Sequence, residues 1–333
     1  MHVYLWHPSD VRTGGTTALD QLAVGLRAAG AEVTLVDPQP TFRRFGLAGY
    51  RAWHRAQGLP DLQPADAVVA PEKWAWQLAD LTGCRRVLWW LSVDNAYLPL
   101  LPARDRWFDR LGSDVALKRL VRPVELPLDL RLRSQRMIHC VQSEYARVHV
   151  QQRFHQEPLW LTDYLEDEFL SARSDGDSRA RRVLYNPVKG PQAVRRVMAA
   201  AAPDIEFRAL RGLSGDQARA LMSSSALYLD LGSHPGRDRM PRETAMMGCQ
   251  VVVGLRGSAC NDVDVPLPAD LKVPVPADAR GARLVADRVT ALLDDRTAGQ
   301  EAMASYRAWV LGQRAAFLGE AAQLAAVLRE GAA

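Results

Sequence analysis

Ser233-His234-Pro235-Gly236-Arg237-Asp238-Arg239-Met240-Pro241-Arg242-Glu243 follows Ala226-Leu227-Tyr228-Leu229-Asp230-Leu231, a run that reads as a buried strand. It leads into Thr244-Ala245-Met246-Met247-Gly248, a helix that Gly248 terminates. A strand that passes through a Gly- and Pro-bearing turn straight into a helix is the building unit of a parallel α/β sheet. Main-chain N–H groups at such a helix start have no intrahelical acceptor and point into the turn, while Arg237, Arg239 and Arg242 add fixed positive charge. A phosphate or diphosphate suits that turn. The competing reading leaves the arginines solvated or paired with local acids, Asp238 and Glu243.

Outward from this stretch the same rhythm repeats. Towards the N-terminus of the turn, strands are expected over 182–186, 205–210 and 226–231, with helices over 192–202 and 215–224 between them. Beyond the turn come a helix over 241–247, a strand over 250–254, a helix over 282–293 and a helical tail over 301–328. The first half alternates likewise: strands over 2–6, 32–36, 67–70, 86–91 and 137–141, and helices over 17–29, 74–81 and 144–154. Two doubly wound parallel sheets flanked by helices follow, with ligands expected in a crevice outside the carboxyl ends of the strands, facing a central cleft. The apolar pattern fails in the polar stretch around Ser174-Asp175-Gly176-Asp177-Ser178, which has linker composition. The division is therefore a first domain over 1–170, a linker over 171–181, a second domain over 182–300 and C-terminal helices over 301–333.

Composition bounds the answer without choosing it. A chain of 333 residues accommodates two cores, and 48% apolar with 24% charged residues is ordinary for a globular protein. No apolar run reaches the roughly 18 residues a membrane span needs. Met1 leads at once into a strand-like run with no signal-peptide pattern, which predicts a cytoplasmic protein, or one peripheral to the inner face of the membrane. The net charge of +4 permits an anionic ligand without demanding nucleic acid. Residues 104–122 mix arginines with Trp107 and Phe108, but Asp105, Asp109 and Asp114 make this a solvated helix face, with weak peripheral membrane contact as the other reading. Cys84, Cys140, Cys249 and Cys260 lack metal spacing and read as reduced; the histidines show none either, so no metal site is expected. Oligomeric state has no signature here.

Three further constellations sit at strand ends. Thr13-Gly14-Gly15-Thr16-Thr17 follows the first strand and opens a helix; its glycines allow close backbone approach to a ligand, or form a tight turn capped by Thr16 or Thr17. In Tyr185-Asn186-Pro187-Val188-Lys189-Gly190, Lys189 stands at the mouth of the next helix, placed to reach a phosphate or simply exposed. Leu88-Trp89-Trp90-Leu91-Ser92-Val93-Asp94-Asn95 ends a hydrophobic strand in polar groups, so Ser92, Asp94 and Asn95 are placed to bond sugar hydroxyls or a reacting hydroxyl, or to cap a helix. Trp89 and Trp90 read as core, and Ser143 as a helix cap. His7 ends the first strand and His234 opens the basic turn, which makes both candidates for the same crevice.

Together these features resemble the glycosyltransferases of the two-Rossmann-domain GT-B fold, in particular the retaining group 1 type (family 4), which includes glycogen synthase-like and lipopolysaccharide enzymes. The likeness spans nearly the whole chain. It rests on Gly14-Gly15 followed by Leu22, Ala23, Leu26, Gly30 and Val33, on Lys189-Gly190, and on Glu243-Thr244-Ala245-Met246-Met247-Gly248-Cys249-Gln250-Val251-Val252, similar to "E-A-M-A-x-G-x-P-V-V". The chain also resembles a little-described bacterial branch with "TGGxxxLxQL", "WWLSVDN", "LYNPxKG" and "HPGxDRxPRE". The resemblance implies that Lys189 binds a donor diphosphate, that Glu243 binds the nucleotide ribose, that Gly14 and Gly15 lie near the phosphates, that the Gly236 backbone lies near the sugar, and that the C-terminal helix crosses back to the N-terminal domain. Pro235 stands where the family carries the first of two glutamates, and Leu184 where it carries an arginine. Arg239 or Arg242 then supplies the cationic contact, and His234 or Asp238 replaces the sugar-binding carboxylate.

The expectation is a metal-independent glycosyltransferase without a cofactor, retaining as the resemblance implies, that moves sugar from a nucleotide-diphosphate donor to a glycan, lipid-linked or small-molecule hydroxyl. Asp94, His234 and Asp238 are the candidate catalytic groups, with Asp94 the base if the outcome is inverting. His7, Ser92 and Asn95 are placed on the acceptor side. An epimerase or phosphorylase on the same paired domains, or a silent nucleotide-sugar-binding protein, remain the alternatives.

Overall fold

The computed structural model describes residues 1–8, 13–38, 61–97, 127–133, 136–170 and 179–330. Among these, two compact units separate: one holds the residues through Tyr164 together with those from Arg314 onward, the other runs from Leu165 through Gln313. The basic stretch 104–122 lies outside the described residues, as do 171–178 of the expected linker.

The first unit contains β1 (His2–Trp6), α1 (Gly14–Ala28), β2 (Glu32–Val36), β3 (Ala67–Pro71), α2 (Ala75–Asp80), β4 (Arg85–Trp90), α3 (Val93–Tyr97), α4 (Pro127–Arg133), β5 (Ile138–Val141), α5 (Glu144–Phe154) and β6 (Leu159–Trp160). Its six strands are all parallel, in the order β2-β1-β3-β4-β5-β6. The chain moves from β1 to one side for β2 and then to the other side for β3. This reversal opens a crevice between the carboxyl ends of β1 and β3. β3 is buried along its whole length and β4 over Val87 to Trp90, as strands sandwiched between helices must be. Trp89 Nε1 donates to the Leu161 carbonyl at 2.7 Å and Trp90 Nε1 meets His139 Nδ1 at 2.9 Å, so both indoles are core residues with satisfied N–H groups.

α1 begins three residues before the expected start at 17, because Thr13, rather than Thr16 or Thr17, is its cap. The Thr13 N–H donates to Thr16 Oγ1 at 2.8 Å and the Thr16 N–H to Thr13 Oγ1 at 3.3 Å, a reciprocal capping box. Leu19, Leu22, Ala23 and Leu26 form its buried stripe. Ser143 caps α5 as expected, accepting from the Ala146 N–H at 3.1 Å.

The second unit contains α6 (Asp167–Leu170), β7 (Ala180–Tyr185), α7 (Pro191–Ala200), β8 (Glu206–Ala209), α8 (Gly215–Ser223), β9 (Ser225–Asp230), α9 (Arg239–Met246), β10 (Gln250–Gly254), β11 (Lys272–Val273) and α10 (Ala279–Asp294). Its sheet is again parallel, ordered β11-β10-β9-β7-β8. Here the reversal falls between β7 and β9, whose carboxyl-terminal turns carry Lys189 and the His234-to-Asp238 segment. Gly248, at φ 91°, ends α9 as the sequence suggests. The last helix, α11 (Arg296–Glu330), puts Met303, Tyr306 and Val310 into the core of the second unit, while Phe317, Ala321, Leu324, Ala325 and Leu328 belong to the core of the first. All four cysteines are free thiols. No helix among the described residues is long and apolar enough to cross a membrane.

Candidate functional site

At the switch point of the second unit, five side chains form one buried chain of polar contacts. Tyr228 and Asp230 end β9; the Tyr228 hydroxyl donates to Asp230 Oδ2 at 2.8 Å and the Gly232 N–H to Oδ1 at 3.0 Å. Asp230 Oδ1 lies 3.7 Å from His234 Nε2, His234 Nδ1 lies 2.8 Å from Asp238 Oδ2, and the same oxygen lies 2.5 Å from Lys189 Nζ. Asp230 and His234 are fully buried, whereas the Lys189 and Asp238 side chains keep 24% and 21% of their exposure. Of the four, only Lys189 and Asp238 are open to the surface. Burial alone would raise the Asp238 carboxyl, yet Lys189 and His234 hold it well below the usual carboxylate range. Burial works against the Lys189 ammonium too, and the charges of Asp238 and Asp230 override it, raising its pKa.

Tight backbone contacts fix the turns that bear these groups. Gly190 caps α7 at φ 59°, and a Cβ there would stand 2.4 Å from the Leu231 carbonyl oxygen, so only glycine lets the Lys189 turn lie against the end of β9. Gly257, at φ 54°, is equally constrained: a Cβ would stand 2.0 Å from the His234 oxygen. Next to it the Ser258 N–H donates to that oxygen at 2.8 Å, and its hydroxyl donates to the Gly236 carbonyl at 2.6 Å. The Pro235-Gly236 bend is thus held from behind.

The three arginines of the turn have separate fates. Arg242 is 1% exposed, and its guanidinium donates to the Asp238 carbonyl at 3.3 Å, the Arg237 carbonyl at 3.1 Å and Gln313 Oε1 at 2.7 Å. It braces the turn from inside. Arg237 reaches Asp264 at 3.3 Å and lies over the Trp309 ring. Arg239 spans Glu243, at 3.2 Å, and Glu166. Burial raises the Glu243 pKa, Arg239 opposes this and Glu166 adds to it. The pairing of arginine with a local acid, one of the two readings of this stretch, is what Arg239 and Glu243 adopt. Asp238 links the groups: its carboxylate holds Lys189 and its carbonyl holds Arg242.

In the first unit, Gly14 and Gly15 form the first turn of α1, and a Cβ on Gly15 would stand 3.7 Å from Leu91 Cδ1. Leu91 in turn donates its N–H to Glu72 Oε2 at 3.0 Å. Glu72 directly follows β3, is 4% exposed and also accepts from the Ser92 N–H and the Asn95 side chain; burial pushes its carboxyl up to about 7 despite these bonds. Asp94 and Asn95 lie within α3 rather than capping it, Asp94 buried and Asn95 exposed. The Ser92 hydroxyl is buried with no hydrogen-bond partner among the described residues. His7 pairs with Asp20 at 3.3 Å. Gly14, Gly15, Ser92, Asp94, Asn95 and Glu72 thus share the carboxyl edge of one sheet, and Lys189, His234, Gly236, Asp238, Arg239, Arg242 and Glu243 that of the other.

Asp230 and Glu72 are absent from the sequence-based candidates. Each had a signal, an acid at the end of an otherwise apolar strand. Glu166 and Gln313 had none, because their roles come from segments far away in sequence. Among the described residues no group of three or more His, Cys, Asp or Glu side chains is arranged to hold a metal ion.

No protein-family model matches the chain, and no curated protein matches it. Solved structures do. The sucrose-phosphate synthase of Thermosynechococcus elongatus matches 99% of this chain and 98% of its own at 13% identity and a TM-score of 0.66. WaaG, a glycosyltransferase involved in lipopolysaccharide biosynthesis, matches 98% of this chain and 99% of its own at 13% identity and a TM-score of 0.60. The catalytic domain of starch synthase IV from Arabidopsis thaliana, bound to ADP and acarbose, matches 97% and 98% at 11% identity and a TM-score of 0.54. At such identities the likeness is one of fold: the chain has the two-Rossmann-unit, GT-B architecture that its sequence resemblance implied.

Proposed function

We propose that the protein transfers a glycosyl group from a nucleoside-diphosphate sugar to a hydroxyl acceptor, without a metal ion and with retention of configuration. The observation that carries this reading is the convergence of Lys189, Asp238 and the start of α9 at the switch point of the second sheet, where a parallel α/β sheet offers its ligand crevice. The likeness to starch synthase IV, whose structure holds ADP, and to an O-GlcNAc transferase in complex with UDP supports a nucleotide donor.

In this reading the Lys189 ammonium and the main chain at the start of α9 neutralise charge that grows on the diphosphate as the glycosidic C–O bond breaks. Such a group lowers the barrier because the charge is larger in the transition state than in the bound donor. Glu243, oriented by Arg239, accepts from the ribose hydroxyls. Asp238, with Lys189 one of the two partly exposed members of the chain, faces sugar hydroxyls beside the Gly236 backbone, and His234 acts behind it. Arg242 shapes the turn and does not itself touch the phosphates. Gly14 and Gly15 border the phosphates, while Ser92, Asp94, Asn95 and His7 serve the acceptor. With retention, the leaving phosphate oxygen takes the acceptor's proton; with inversion Asp94 takes it. The acceptor is a glycan, a lipid-linked precursor or a small molecule, and the setting is the cytoplasm or the inner membrane face.

The test is incubation with UDP-, ADP- and GDP-sugars, following nucleoside diphosphate and sugar by chromatography. A transferase releases diphosphate slowly even to water, and Lys189→Ala loses about 10²- to 10³-fold of that rate. Interconversion of the sugar on an intact donor would instead identify an epimerase, and binding without turnover a silent partner.

A further inference from the structure

Asp238 occupies the N-cap of α9, yet its side chain accepts no hydrogen bond from the first turn of that helix. The third helical position is Pro241, which has no N–H to offer a cap. The carboxylate instead lies on Lys189 Nζ, at 2.5 Å. We infer that Asp238 is a specificity-determining residue that sets the donor site against its own product: beside Lys189, its carboxylate accommodates a sugar-bearing diphosphate and repels the bare nucleoside diphosphate left after transfer. This rests on the reading of Lys189 and Asp238 given above.

Lys189 keeps the Asp238 carboxyl ionised, so the pair is neutral before any ligand arrives. An ammonium has three N–H donors, and a phosphate oxygen therefore joins the carboxylate on Lys189 without displacing it. Two anions then share one cation at a partly buried site, where like charges repel more strongly than in water. In a nucleotide sugar the outer phosphate is esterified and carries one charge, and the sugar hydroxyls give the carboxylate donors. Transfer breaks the bond from the anomeric carbon to the phosphate oxygen, which keeps the electron pair. The carbon bonds the acceptor oxygen, and the acceptor's proton passes to that phosphate and then to water. During this step positive charge gathers on the sugar and offsets the carboxylate. Afterwards the phosphate is a free monoester whose second ionisation, at a pKa of about 6, adds a further charge, and the hydroxyl donors are gone. The carboxylate then faces only negative oxygens. Its backbone is held, because Arg242 donates to the Asp238 and Arg237 carbonyls at 3.3 Å and 3.1 Å.

The test is calorimetric titration, without acceptor, of the wild type and Asp238→Asn with UDP-glucose, UDP-N-acetylglucosamine, ADP-glucose and GDP-mannose and with UDP, ADP and GDP. Asparagine keeps an oxygen that accepts from hydroxyls but not the charge. The readout is the Kd of the diphosphate divided by that of its nucleotide sugar, a ratio that cancels whatever both ligands gain from a less encumbered lysine. It falls about tenfold in Asp238→Asn, chiefly because the diphosphate binds more tightly. A merely structural role for Asp238 would change both ligands alike, and an unchanged or larger ratio overturns the inference. Should Asp238→Asn fail to fold, Asp238→Ser, which keeps a helix-capping residue, is held to the same ratio. A wild type that binds a diphosphate but none of the four nucleotide sugars overturns the inference too, since the carboxylate then favours no donor. A wild type that binds neither kind of ligand overturns the functional reading and this inference with it, whereas binding of both with an unaltered ratio overturns the inference alone.

Discussion

Replacing Glu72 with glutamine tests how the first unit holds its candidate site. The carboxyl is 4% exposed, at the end of β3, and desolvation outweighs the donors that Leu91, Ser92 and Asn95 aim at it. Moving it from the ordinary 4.5 to about 7 costs the ionised form on the order of 3 kcal/mol. Because the folded carboxyl keeps its proton to higher pH than the unfolded one, the folded protein binds more protons between these values. Stability therefore falls as pH rises through that window and levels off above about 7. Glutamine cannot ionise, so the variant lacks this slope, whatever its absolute stability. The assay is urea unfolding followed by tryptophan emission, to which Trp6, Trp74, Trp76, Trp89, Trp90 and Trp160 of the first unit contribute, at pH 5 and pH 8. Between these values the wild type should lose on the order of 3 kcal/mol more than Glu72→Gln. Parallel pH profiles for the two proteins would refute the reasoning, since a carboxyl with an ordinary titration would give that result.

Other expectations follow from the second unit. Arg242→Lys removes a planar fork, itself buried, whose donors satisfy two turn carbonyls and Gln313, so chemical denaturation should show a loss of about 2–4 kcal/mol, without rescue by the retained charge. Gly190→Ala puts a Cβ against the Leu231 carbonyl in a left-handed backbone; a loss of about 2 kcal/mol or more should accompany weaker nucleotide binding, and an unchanged melting curve would show that the turn relaxes freely. Arg239→Ala releases Glu243 and Glu166 from their shared cation, and titration with nucleosides and nucleoside diphosphates should show a loss common to both, as expected for a ribose contact rather than a phosphate one.

Much of this architecture was legible because its strands are buried on both faces. Runs such as Val68-Val69-Ala70 and Val251-Val252-Val253 announce a parallel sheet, and β1, β2 and β10 fall on the expected residues. The two-residue strands β6 and β11 escaped because so short a segment has no periodicity. At the site, the turn after β9 and the Lys189-Gly190 pair could be placed, since glycine and proline mark turns and a strand end marks the ligand edge. What charge pattern alone did not separate was Arg239 from Arg242. The two lie three residues apart and share a helix face, so helical phase does not separate them; their partners do, Arg242 turning onto the Arg237 and Asp238 carbonyls and Gln313 and Arg239 reaching Glu243 and Glu166, and the distant members of those sets are brought in by tertiary packing. Asp230 was passed over because an acid inside an apolar run reads as the end of a strand, and its meaning depends on His234 folding back over it.

Every role proposed for the second sheet depends on Lys189 binding a nucleoside diphosphate. Thermal unfolding of the wild type and of Lys189→Ala with and without UDP, ADP, GDP, CDP and dTDP tests it directly. One of these should stabilise the wild type by about 2.7 kcal/mol at a hundred times its dissociation constant, and the same concentration should leave Lys189→Ala nearly unmoved. Equal stabilisation of the two proteins, or none of either, would contradict it.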